Sequence, residues 1–324
     1  NGSGLVTGDT VALTAAIGIG NATGIELSAS NISADTTSGD LEIDNVLGTS
    51  VNVTSLTTGS GSIDFDQSGG GSLVTGILSA TNTIDVTNSA GDVSLAGTVA
   101  SSDLVVTSSG AVTDGADGDL AISGSAQLTG GSIELGNDAG NTTNFGSLTF
   151  NSAGSVNIVE DSAMLVSGPS SAGSGLDLVA ADDVTLDSTV TVVGDVSIIA
   201  GTTTGGIDVN AKLNGSGAIL LDAADEITID AAIDPTTVTL TADDDITVNA
   251  AVVATDLITV SAGEDGSGGF TLTLSGSLTT TGAGSDVTVS TGSGSGDLSL
   301  AGTTTALDQV LMTSTVFLWR ACAC

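Results

Sequence analysis

The sequence predicts an all-β chain wound as a parallel β-helix, a β-solenoid with three short strands per coil of roughly 20 residues. Three observations carry this expectation: an aliphatic, glycine-rich composition, short segments of period-two alternation, and a repeat whose internal spacing is rigid on one side and elastic on the other. Of 324 residues, 40% are hydrophobic, yet there is no Tyr, one Trp and five Phe, while Gly reaches 46. A core of this kind must be built from Val, Ile, Leu and Ala. That aliphatic content is too high for a disordered acidic tail.

The clearest stretch is 174–254, where Leu176-Asp-Leu178, Val184-Thr-Leu186, Val196-Ser-Ile198, Ile207-Asp-Val209 and Ile227-Thr-Ile229 recur with Gly or an acidic residue close in front. Alternation in Val- and Thr-rich pieces means strand. The first series runs Leu176, Val196, Ile219, Val238, Ile258, Val287 and the second Val184, Ile207, Ile227, Ile246, Leu272, Leu298. A third apolar residue follows each second-series start by six, at Val190, Leu213, Ile233, Val252 and Leu278. That offset never changes, whereas the first-to-second distance takes values of 8, 11 and 14. Fixed corners and one tolerant loop edge leave this signature in a coil.

The same spacing appears at Val11-Leu13-Ile17 and Val93-Leu95-Val99, so one continuous solenoid is expected over 1–305, best registered over 174–300 and more loosely between 20 and 170. A 20-residue period gives roughly sixteen coils, of right hand by the crossover preference of parallel strands. Inward Val, Ile and Leu stack on their equivalents in the next coil, and glycines serve corners that need positive φ. One polar position recurs at a corner, at Asp187, Asn210, Asp230, Asn249 and then Ser275. Stacked Asx side chains bond turn backbone groups, so this row is expected to be structural. Beyond 305 the pattern changes: Val310-Leu-Met312 and Val316-Phe317-Leu318-Trp319 are bulkier than anything upstream, and 306–324 is expected to cap the last coil or dock onto a neighbour.

Charge excludes several functions. Lys and Arg total 2 against 38 Asp and Glu, a net charge of −36 with no His. Nucleic-acid binding runs on cations that neutralise phosphates, so no such partner is expected. Anionic membrane surfaces are disfavoured for the same reason, and no apolar run approaches the ~20 residues of a spanning helix. Mechanisms of the Ser/His/Asp and Cys/His kinds lack their histidine. A lyase acting on acidic polysaccharide would have only Lys212 and Arg320 to hold its substrate, and a glycosidase would lack aromatic platforms. The expected reading is non-catalytic, with a polysaccharide-active enzyme as the third choice. The terminal pair Cys322 and Cys324 cannot easily close on itself.

The runs Gly194-Asp195-Val196-Ser197-Ile198 and Ala223-Ala224-Asp225-Glu226-Ile227-Thr228-Ile229-Asp230 resemble the repetitive exoproteins of bacteria. Specifically, they are similar to filamentous-haemagglutinin-like and other giant β-strand-repeat adhesins, in which Gly-Asp-Φ-x-Φ units build β-helical shafts. The likeness covers 170–300 well and the rest thinly. It implies an extracellular or cell-surface shaft that projects or cross-links cells. Its partners would be further copies of itself, end to end or side by side, flanking coils of a longer chain, or cell-surface glycans.

The candidate ligand-binding residues are acidic. Aligning Ile227 with Ile246 sets Asp225 against Asp244 and Glu226 against Asp245, one coil apart. Like charges about 5 Å apart repel by about 1 kcal/mol or more, depending on the local dielectric. A Ca2+ ion would relieve that repulsion through carboxylate and carbonyl oxygens. The alternative expectation is therefore a calcium-dependent binding module; solvated carboxylates that keep a shaft soluble, with no cofactor required, are the simpler one. Asp114, Asp117 and Asp119 look like a calcium loop without its later Glu, and Gly292–Leu300 resembles a calcium nonapeptide with the wrong spacing. Thr239-Leu-Thr241 and Thr271-Leu-Thr273 suggest an ice-binding row, but the aligned Asp177, Ser197 and Leu220 break it.

Overall fold

The computed structural model describes residues 4–20, 23–265, 270–292 and 297–313. The chain is a parallel β-solenoid, with about 14 turns of roughly 21 residues and no helix among the described residues. That is fewer turns than a 20-residue period gives, because loops lengthen individual coils, as between Leu257–Ala262 and Thr271–Leu274. Two compact units divide at Glu160 and Asp161.

In the second unit each turn lays one strand on each of three faces, with a single bridge residue, Ile233, standing for the third-face strand of one coil. On the first face Leu176, Val196, Ile219, Val238, Ile258, Val287 and Val310 pair in register from coil to coil. The second carries Met164, Val184, Ile207, Ile227, Ile246, Leu272 and Leu298. The third carries Ser170, Val190, Leu213, Ile233, Val252, Leu278 and Thr304. Each of the three series read over 176–298 is a column of the fold, whereas at Val11-Leu13-Ile17 the spacing does not give an inward row, since Ile17 is 81% exposed. Alternation sends the side chains of the three columns inward, and all are buried but Leu298, Thr304 and Val310 of the last described coil; each buried Val, Ile or Leu gains about 1.5–3 kcal/mol over leaving it in water.

Val310–Thr313 pairs with the strand Asp286–Thr291, so the first face continues beyond residue 305. The residues expected to cap or dock, Val316, Phe317, Leu318 and Trp319, lie outside the described residues, as do Cys322 and Cys324. Where the first face turns into the second, Ala180, Ala200, Ala223, Ala242 and Ala262 form a buried column of methyl groups. Gly194 opens a first-face strand at φ 122°, and a Cβ there would run into the Ser174 carbonyl oxygen. This corner accepts only glycine.

The first unit also stacks in columns, with register shifts between Ile17 and Ile19, between Ile32 and Ser33, and between Ile122 and Ser125. Leu41, Ile63, Ile84, Leu104, Ala126 and Leu148 form one column. Val51, Leu73, Val93, Val112, Ile133 and Val156 form another. Two features blur the pattern. The strand Ile25–Val46 runs 22 residues without a punctuating turn. The interior also holds a polar row in which Asn45, Gln67, Asn88 and Ser108 pair in register, all buried.

That row is satisfied internally. Asn45 Nδ2 donates to Gln67 Oε1 at 2.7 Å and to the Ala29 carbonyl at 3.1 Å, while its Oδ1 accepts the Ala29 N–H. Gln67 Nε2 donates to the Leu47 and Ser68 carbonyls. Asn88 Nδ2 donates to those of Gly71 and Asp92, and Ser108 Oγ to that of Gly91. Buried amides are tolerated only when bonded in this way.

Candidate functional site: stacked carboxylates at the coil corners

The carboxylates have two kinds of place. Many stand immediately before or at the start of a strand, or, like Asp40, within a long one, where a backbone N–H of the next coil needs an acceptor. Asp195 Oδ1 accepts the Ala218 N–H at 2.8 Å, Asp183 that of Gly206 at 2.9 Å, and Asp286 that of Gln309 at 3.0 Å. In the first unit Asp40 serves Ser62, Asp92 serves Ala111, and Asp119 serves Thr142. Asp103 bonds both the N–H and the hydroxyl of Ser125, and those bonds hold its carboxyl below the usual carboxylate range. Each acceptor occupies the same place in its coil as its donor residue does in the following one. The acidic residue that recurs before the strands is therefore an inter-coil fastening.

The four residues aligned in sequence as calcium ligands are stacked as expected at the corner entering the second face. Asp244 N–H donates to the Asp225 carbonyl at 3.0 Å, and Ile227 N–H to the Asp245 carbonyl at 2.9 Å. Desolvation first, then the charges of Asp225, Asp265 and Asp245, raise Asp244 above the usual range. Glu226 is raised by desolvation and by Asp225, Asp208, Asp245 and Asp183. Asp245 has a structural task as well, since its Oδ1 accepts the Thr271 N–H. Among the described residues no three His, Cys, Asp or Glu side chains are gathered as metal ligands would be.

The Asx row lies one corner further on. Asn210 Nδ2 donates to Asp187 Oδ1 at 2.9 Å, and Asn249 Nδ2 donates to Asp230 Oδ1 at 2.7 Å. These are bonds between side chains of adjacent coils, with Asp and Asn alternating as acceptor and donor.

Sequence reading missed a second acidic array, in the first unit. Glu42, Asp64 and Asp85 pair in register on the outer side of their face, beside Asp44 and Asp66. Burial, then Asp66, Asp85, Glu42 and Asp44, push Asp64 up to about 6. Asp44 and Asp85 are raised as well, each first by desolvation. The signal was present as Leu41-Glu-Ile-Asp44, Ile63-Asp-Phe-Asp66 and Ile84-Asp-Val86. Aligned by their inward residues, these three segments stack their acids.

The loop that looked like a calcium site holds the next coil. Asp114 Oδ2 accepts the Gly136 N–H at 2.8 Å and Asn141 Nδ2 at 3.2 Å. Asp119 takes the N–H and hydroxyl of Thr142, and Asp117 is exposed. Most of the glycine-rich run before Asp297 lies outside the described residues. On the first face Thr239, Thr259 and Thr288 line up, but Leu220 precedes them and Leu311 follows. No family model, curated protein or solved structure matches the chain.

Proposed function

We propose that this chain is a structural shaft segment of a bacterial cell-surface or extracellular filament or adhesin, without catalytic activity. The observation that carries the reading is the investment of side chains in joining one coil to the next. Aliphatic columns, the interior amide row and the strand-leading aspartates all serve that purpose. The resemblance to giant β-strand-repeat adhesins supports it. So does the scarcity of Lys and Arg, 2 in 324 residues, which leaves few tryptic cleavage points. The partners proposed are other copies of the chain, flanking coils of a longer polypeptide, or surface glycans. Negative-stain electron microscopy tests it: elongated particles or filaments are expected, and compact dispersed monomers at high concentration would overturn it.

A second reading, a calcium-dependent binding module, rests on the Asp225–Asp244 carboxyl pair. A hard cation there would offset the repulsion between the stacked carboxylates, which already raises Asp244. Melting the protein with Ca2+ and with chelator separates the two. A shift of many degrees favours the module, and coincident curves favour the shaft.

A further inference from the structure

We draw no further inference here: the strongest candidate, the outward grid of Glu42, Asp44, Asp64, Asp66 and Asp85 in the first unit, is an acidic cluster belonging to the carboxylate arrays already described, and nothing in the structure shows a ligand that would occupy it.

Discussion

Asp195 and Ala218 stand 23 residues apart in sequence and are joined by a 2.8 Å hydrogen bond from the Ala218 N–H to Oδ1 of Asp195. The bond supplies an acceptor to a donor at the very start of a strand, much as a capping side chain does for a helix. Replacing Asp195 with Ala is expected to cost about 1 kcal/mol, since water can partly replace an exposed acceptor. Asp195→Asn keeps an oxygen in place and should lose less. Urea melts of both variants provide the comparison; equal losses would mean that the acceptor is not what matters.

The buried amide row makes a stronger demand. Gln67→Leu removes the acceptor for Asn45 Nδ2 at a site only 1% exposed, and a cost of about 1–3 kcal/mol is expected. Thr87→Ala, on the outer side of the adjoining coil, should stay within about 0.5 kcal/mol. A neutral or stabilising Gln67→Leu would show that the row is dispensable.

Ile227 and Ile246 are register partners, both fully buried. Each single change to Ala is expected to cost about 2–5 kcal/mol through lost burial and the cavity left behind. The double variant should fall short of the sum, because neighbours couple by about 0.5–3 kcal/mol. Strict additivity in denaturant titrations would contradict direct stacking.

Acid should strengthen the fold. The raised carboxyls, with Asp64 at about 6 against 3.8 in the unfolded chain, bind protons more readily in the native state. Native stability then increases as pH falls through the window from about 6 to about 4, and the gain is complete below it. Asp103 runs the other way: its lowered carboxyl contributes stability that is lost as pH falls through its folded value. Raised groups outnumber it, among them Asp44, Asp85, Asp114, Asp208, Glu226, Asp243 and Asp244. The melting temperature should therefore climb from pH 7 to pH 5. Asp64→Asn should raise it at pH 7 and flatten the slope, and a protein that melts lower at pH 5 than at pH 7 would refute this.

How much could be read from sequence depended on what faces inward. Ile207, Ile227 and Ile246 announce themselves because each coil repeats the same aliphatic alternation, so the second unit was legible strand by strand. Asn45, Gln67 and Asn88 conceal the first unit, since amides at inward positions look like loop residues until their partners are known. Aligning Ile227 with Ile246 set Asp225 beside Asp244, as the backbone bond between them has it, but the role of Asp245 in holding Thr271 was not visible. A hydrogen bond between coils depends on register, and register is what a single sequence states least directly. The grid at Glu42 and Asp64 escaped notice for the same reason.

The corner between the first and second faces varies in length, from the tight step after Ala180 to the long one after Ala262, while that between the second and third keeps its spacing. Lengthening such a loop carries only a slowly growing entropic penalty, about 0.6 kcal/mol per doubling. One side of the winding is thus a natural splice point, where foreign peptides could be grafted in successive turns and displayed as a ladder without touching the packed interior.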